Sequence, residues 1–494
     1  MPESIIEKGL PEWSYVPADT SEPILDTTVG GVLCEVAAKY PDRMALIEGV
    51  PDSLDRKTWT YAELLNDAQT VARALSRRFE KGERVAVWAP NIPEWVVMEF
   101  GAALAGVVMV TVNPAYQPKE LHYVLEQSRA SGIFYLPAFR GNPIGRSLEE
   151  VRGQLPDLRE AISFDDWDEF LASADPSASL PDVAPNDPVQ IQYTSGTTGF
   201  PKGAYLHHRG ITNNARLFGQ RFGVQPGDVY VNPMPLFHTG GCVLAVLSAI
   251  QAGATLVCMV QFEPGLMLEL LEEQKATHML GVPTMLIAAM EHPDLASRNL
   301  EAVRAVCSGG STVPADLVRR IESTLGVKFS IIYGQTEASP TITLMKPDDT
   351  PEDKAGTLGP VLPQTEIKVI NPDTGETLPT GESGELCTRG YLVMLEYFDM
   401  PEKTAEAIDG DGWLHTGDLV AMDERGYATF TGRLKDMIIT GGENVYAREV
   451  EEVLYSRPEV LECAVICVPD PHYGELVIAF IVTQKGHEID LKQV

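Results

Sequence analysis

The stretch VQIQYTSGTTGFPKG, Val189–Gly203, decides how the chain is read. Its opening, with Val189 and Ile191 in alternation, predicts a short strand. From Thr194 to Gly203 the composition changes to four hydroxyl side chains, three glycines and a single lysine, which predicts a loop leaving the strand's end. Glycine lets the backbone come close and take positive φ, so N–H groups can turn outward around an anion, and phosphate suits such a cradle. The nucleotide-triphosphatase loop G-x-x-x-x-G-K-[ST] does not fit, because Phe200 and Pro201 separate Gly199 from Lys202 and Gly203 follows. The dinucleotide pattern G-x-G-x-x-G is missing from the loop as well. The residues alone read as an oxyanion or phosphate cradle of another kind, with an ordinary polar turn as the alternative.

Working outward, short apolar runs alternate with helical segments. A helix at about Tyr61 to Phe79 leads to RVAVWAP, a helix from Ile92 to VVMVTV, and a helix from Lys119 to GIFYLP. Fully apolar strands alternating with helices predict a parallel sheet covered on both faces. After a Pro- and Asp-rich connector, about Ala174 to Asp187, the alternation restarts at VQIQYTS and runs through DVYVNPMP, ATLVCM, HMLGV, RAVCSGG and FSIIYG. This predicts a second doubly wound sheet. Beyond about Lys354 the pattern is β-like, with TEIKVI, GELCTRG and a hairpin turning at DERG, and ends near Gly432. The remainder, with one helix at Arg448 to Ser456 between apolar strands, predicts a small, incomplete α+β unit. The expected fold is α/β: residues 1–434, with two doubly wound sheets and a β subdomain at about 355–432, then a partial unit at 435–494. In open parallel sheets ligands sit beyond the carboxyl ends of the strands. TSGTTG, MPLFHTGG, CSGGSTVP and YGQTE all fall there.

The 494 residues carry 38 Lys+Arg against 70 Asp+Glu, a formal charge of −32. Nucleic-acid phosphate and anionic membrane surfaces are repelled by most of such a surface, so a bound anion must be held by local donors. Seven cysteines form no C-x-x-C pair and mostly sit in apolar runs, which reads as buried free thiols in a reducing compartment. MPESIIEKGLPEWSY lacks the basic-then-apolar pattern of a secretory signal, and the longest apolar run, Phe100 to Val112, is too short to span a bilayer. The expected location is the cytoplasm; an oligomer is left open.

YTSGTTGFPKG, YGQTE (Tyr333–Glu337), WLHTGD (Trp413–Asp418) and GRLKDMIITGGENVY (Gly432–Tyr446), in that order, resemble the AMP-forming, acyl-activating adenylate superfamily. The resemblance runs over nearly the whole chain. VNPAYQPKELHYVL and GELCTRGYLVMLEYFDMPEKTAEAI look most like bacterial medium- and long-chain fatty acyl-CoA synthetases. The resemblance implies a two-step reaction with ATP, Mg²⁺ and coenzyme A: a carboxylate attacks the α-phosphorus to give an acyl adenylate and pyrophosphate, then the thiolate displaces AMP. It implies that Thr194, Ser195, Gly196, Thr197, Thr198 and Gly199, with Lys202, cradle the β- and γ-phosphates. Glu337 would hold Mg²⁺, aided by the Thr194 hydroxyl, within the frame Gly334, Gln335 and Thr336. Tyr333 would stack on adenine opposite Gly309, Gly310 and Ser311; Asp418 would bind the ribose hydroxyls, with Arg433 contacting ribose and phosphate. His238 would be a gate between nucleotide and acyl pocket, the latter built around His238–Cys242 and Val282–Met290. Lys435 would be a hinge, swinging Gly441, Gly442, Glu443 and Asn444 toward the site for thioester formation.

The resemblance also implies a second lysine in a P-x-x-x-x-G-K setting, and the sequence stops first. Neither Lys485 nor Lys492 has that frame, while Asp490 reads as the N-cap of a helix barely begun. Ala447 stands where relatives commonly carry proline. The leading expectation is a fatty acyl-CoA synthetase. An aryl or other small-carboxylate CoA ligase, and an ATP- or adenylate-binding protein that turns over poorly without that lysine, remain open.

Overall fold

A computed structural model describes residues 12–194, 201–311, 313–440, 443–455, 457, 459–470 and 474–484. The three strands of the early alternation, Arg84–Trp88, Val108–Thr111 and Gly132–Tyr135, pair in parallel as expected; Glu160–Ser163, which the sequence reading did not single out, joins them, and Val108–Thr111 takes Pro188–Thr194 as its next parallel neighbour. The chain then turns back, so Lys202–His207 pairs antiparallel with Pro188–Thr194, and Glu396–Tyr397 closes the edge of a seven-stranded sheet. Here the structure corrects the sequence reading: VQIQYTS does not open the second sheet but completes the first. Alternation reports that a strand exists and cannot say which distant backbone takes its hydrogen bonds.

The second sheet has eight strands. In spatial order they begin at Thr341, Lys328, Ala305, His278, Val229, Thr255, Met44 and Thr58, so its far edge comes from the N-terminal part of the chain. Its central pairs are parallel and both edges antiparallel.

The period-two alternation of each parallel strand is divided between two cores. Val85 and Val87 join Leu256 and Cys258 in the largest apolar cluster, which also takes in helices Val29–Lys39, Tyr61–Ser76, Pro93–Ala105 and His208–Phe222. Ala86 and Trp88 belong to a separate cluster on the outer face of the first sheet, Val257 and Met259 to another on the outer face of the second. The shared helices therefore lie between the two sheets. Pro93–Ala105 shows the consequence: eleven of its thirteen residues are buried, which only a helix enclosed on all sides requires. Tyr61–Ser76 starts sharply because Thr60 and Glu63 cap each other reciprocally.

A third, antiparallel sheet of five strands joins Thr365–Ile370, Ser383–Gly390, Leu414–Met422 and Ala428–Arg433 to the short strand Tyr15–Val16. A fourth combines Met437–Thr440, Glu443–Tyr446, Val460–Asp470 and Gly474–Thr483, with helix Ala447–Tyr455 packed against it. All seven cysteines are free, but Cys467 is exposed and Cys34 half-buried, so the expected interior thiols number five. Among the described residues no helix is long and apolar enough to cross a membrane.

Helix His208–Phe222 fastens the segment after Tyr333–Glu337. The fully buried Asn214 amide donates to the Thr341 carbonyl at 2.8 Å and accepts from the Thr341 N–H at 3.0 Å. Arg221 donates to the carbonyls of Leu344, Pro360 and Val361 at 3.2, 2.9 and 3.0 Å. Replacing Asn214 by Ala strands a buried donor and acceptor together, a cost of about 3 kcal/mol. The expected result is a lower thermal midpoint together with faster hydrogen exchange at the Thr341 amide; unchanged exchange there would show that the contact does not hold the segment.

Candidate functional site

Thr194 and Lys202 are directly opposite across the antiparallel pair, so the loop between them leaves and re-enters at one point. Residues 195–200, which carry Ser195, Gly196, Thr197, Thr198 and Gly199, lie outside the described residues. Lys202 sits with its ammonium 4.0 Å from the centre of the Tyr397 ring. Burial lowers its pKa; the negative charge of Glu337 opposes that, while Lys403 and Lys435 add to it. Glu337 is buried and accepts a 2.6 Å hydrogen bond from the Tyr397 hydroxyl. Tyr397, whose own pKa is pushed up by burial and then by Glu337, thus joins the lysine and the carboxylate. Sequence reasoning did not single it out, since sixty residues separate the two partners and EYFDM shows nothing of the pairing.

Tyr333 ends the strand Lys328–Gly334, half-buried, beside Ala305–Gly309. Gly309 pairs with Ile332, the residue before Tyr333. Gly310, at φ +78°, and Ser311 are exposed, as is Gly334. Two glycines here serve packing first. A Cβ at Gly334 would lie 1.9 Å from the Pro340 carbonyl oxygen, and one at Gly309 would lie 2.4 Å from Ile332 Cγ2. Gln335 is half-buried and Thr336 buried, on the turn that carries Glu337.

The third sheet contributes Asp418 and Arg433, paired residues of adjacent strands. The Asp418 carboxylate accepts from the Tyr333 hydroxyl at 2.8 Å and from Arg433 Nε at 3.2 Å. Burial raises the Asp418 pKa; Tyr333, Arg433 and the charge of Lys435 hold it down. Lys435 is exposed, in the turn between this sheet and the last one. Gly441 and Gly442 lie outside the described residues, while Glu443 and Asn444 begin the strand Glu443–Tyr446. Lys485, Asp490 and Lys492 also lie outside them.

His238 acts as a cap: its Nδ1 accepts from the Gly240 N–H at 3.0 Å at the start of helix Thr239–Gly241; the residue keeps an exposed surface, and the protein packed around the ring lowers its pKa by desolvation. The next residues, Cys242–Leu247, form a π-helix, and Pro283–Met290 a separate α-helix. A buried chain links the His238 loop to the strand feeding Thr194. Gln192 donates to Cys242 Sγ at 3.0 Å and to Gln190 at 2.8 Å, and Gln190 donates to Glu99 at 2.9 Å. Burial pushes the Glu99 carboxyl well above its ordinary range, against the hydrogen bond from Gln190. The signal for this chain in the sequence was two glutamines alternating within an otherwise apolar strand.

The site thus joins Lys202 and Glu337 with Tyr333, whose phenol meets a buried carboxylate that an arginine also contacts. Such donors suit a polyanion bearing a planar group and hydroxyls.

Residues 33–398 match the family described as AMP-binding enzyme, and residues 449–494 match the AMP-binding enzyme C-terminal domain. The chain is 40% identical to the putative acyl-CoA synthetase YngI of Bacillus subtilis (strain 168), over 94% of this chain and 89% of that one. It is 36% identical to the mitochondrial medium-chain acyl-CoA ligase ACSF2 of Danio rerio, over 97% of this chain and 84% of the relative. The crystal structure of ATP-bound MatB from Rhodopseudomonas palustris superposes with a TM-score of 0.84 at 30% identity, covering 94% of this chain and 90% of MatB.

The environment of Asp418 sets a titration. Its folded pKa lies above the unfolded value, so this carboxyl favours the folded state at low pH and loses that contribution as pH rises through the folded value. Tyr333→Phe removes one group that holds the pKa down and is expected to move it further upward. Carboxylate NMR on selectively ¹³C-labelled protein measures it; a midpoint below 3.8 in both proteins would show that the neighbouring cations, not burial, govern the group.

Proposed function

This chain belongs to the AMP-binding enzyme family, and on that premise we propose that it is an acyl-CoA synthetase using ATP and coenzyme A on a fatty carboxylate. The supporting observation is the meeting of Tyr333, Asp418 and Arg433 beside the Lys202–Glu337 pair at the strand ends. The name of the zebrafish relative favours a medium-chain acid. Free cysteines are consistent with a reducing compartment, and a cytoplasmic location is part of this reading.

In this reading the two oxygens of Asp418 receive the ribose hydroxyls, Tyr333 and the Gly309–Ser311 edge flank the adenine, and Arg433 reaches ribose and phosphate. Lys202 and the loop from Thr194 to Gly199 neutralise the β- and γ-phosphates. The buried Glu337 carboxylate, with Thr194, fits a hard cation that takes its other oxygens from phosphate and water. Mg²⁺ bound there would screen phosphate charge. Positioning and charge neutralisation are what the protein supplies, because the carboxylate and the phosphate are both anions that repel in water. His238, neutral and exposed, separates nucleotide from acyl chain and adds no positive charge to the acyl side. Lys435 divides residues 1–434 from 435–494 and is the hinge about which Gly441–Asn444 approach the adenylate for thioester formation.

Mass-spectrometric product analysis with ATP, Mg²⁺, coenzyme A and short, medium, long and aromatic acids tests the reading. Medium-chain acyl adenylate and thioester are expected; thioester from aromatic acids alone would overturn the fatty-acid assignment, and no adenylate from any acid would overturn the synthetase. Asp418→Ala is expected to raise the KM for ATP by about 10- to 100-fold, the value of lost charge-assisted hydrogen bonds, with the KM for the acid little changed.

A further inference from the structure

We propose that Glu385 is a positioning residue for the nucleotide site, spanning His415 and the Gly417 backbone and so fixing where Asp418 points. Glu385 is buried on the strand Ser383–Gly390, next to the strand that carries Asp418. Its Oε1 accepts from the Gly417 N–H at 3.0 Å and its Oε2 from His415 Nδ1 at 2.9 Å. The intervening Thr416 is held as well: its hydroxyl donates to the Leu386 carbonyl at 2.7 Å and accepts from the Asp418 N–H at 3.1 Å. Gly417 takes φ +70°, which glycine adopts without strain, and glycine has more alternative conformations than any other residue, so something must select this one. The register between the two strands shifts between Glu385 and Cys387, so on this side the ladder leaves Thr416–Asp418 unpaired and side chains take its place, while on the other side Asp418 pairs with Arg433. A carboxylate can accept along both oxygens at once, which a single hydroxyl or amide cannot do with equal strength.

His415 completes the brace. Its pKa is raised, first by the hydrogen bond to Glu385, against burial; the charges of Glu385 and Asp409 add to the rise and Lys368 opposes it. Asp409 lies 3.7 Å from His415 Nε2, on the far side of the ring. The ring is therefore held from both edges while Glu385 holds the turn.

Glu385, Cys387 and His415 also place three donor atoms within 4.8 Å of one another, the composition of a soft-cation site. The hydrogen bonds favour the brace instead. His415 Nδ1 already meets Glu385, Glu385 Oε1 is taken by a backbone N–H, and burial keeps the Cys387 thiol protonated.

The inference rests on Asp418 receiving ribose, and the test separates the two. The full chain and its Glu385→Ala, Glu385→Gln and Asp418→Asn variants are compared with ATP and with 3′-deoxyATP. Glu385→Ala is expected to raise the KM for ATP about tenfold, to leave the KM values for acid and coenzyme A unchanged, and to shrink the preference for ATP over 3′-deoxyATP by a similar factor. Glu385→Gln, which keeps an acceptor for the Gly417 N–H, is expected to recover most of that preference and serves where the alanine variant folds poorly. If Asp418→Asn abolishes the preference while both Glu385 variants retain it in full, the positioning role is overturned and the ribose reading stands. Should Asp418→Asn itself retain the preference, the ribose reading falls and this inference with it. A stoichiometric divalent metal in the purified wild-type protein, lost in Cys387→Ser, would overturn the brace in favour of a metal centre.

Discussion

The buried Asp418 carboxylate is the point on which the site depends. Desolvation disfavours its charge, and the Tyr333 hydroxyl and the Arg433 guanidinium stabilise it from different parts of the chain. Removing either partner would leave a buried acid with less compensation, which costs more than a surface pair ever contributes. Tyr333 belongs to the eight-stranded sheet, and Asp418 and Arg433 to the antiparallel one. The interaction therefore ties the two sheets at the rim where the polar loops gather, and it sets the electrostatics there.

The remaining features arrange themselves around that contact by close approach. Gly334 lets the chain cross Pro340 immediately after Tyr333, and Asn214 and Arg221 pin the strand Thr341–Leu344 and the loop beyond it, so the turn bearing Glu337 has little freedom. Tyr397 brings a second phenol to a second buried carboxylate, with Lys202 over its ring. The two phenol–carboxylate pairs differ in their cations. Arg433 contacts Asp418 directly, whereas Lys202 meets Glu337 through the Tyr397 ring and through charge at a distance. A fork-shaped guanidinium suits a fixed carboxylate, and a single ammonium suits a phosphate that arrives and departs.

Much of this was legible in the chain. Apolar runs in alternation with helical segments announced parallel sheets, because burial on both faces removes polar residues from a strand. The polar loops at strand ends announced the site, and ordered motifs announced the family. The assignment of Pro188–Thr194 to a second sheet failed because its hydrogen bonds go to Val108–Thr111, and no local pattern encodes that choice. Tyr397 and Glu385 escaped notice for a related reason: each acts through a partner thirty or more residues away.

The sequence by itself determined the fold class, the alternation of strands and helices from Tyr61 onward, and the chemical types of the loops at the strand ends, since these follow from local periodicity and composition. Tertiary structure alone decided which strands share a sheet, which carboxylates are buried, and which phenol, histidine or guanidinium each one meets. The physical reason is that burial and hydrogen-bond partnership depend on distances across the folded chain, and a pKa or a held conformation is set by those distances rather than by the residue's neighbours in sequence.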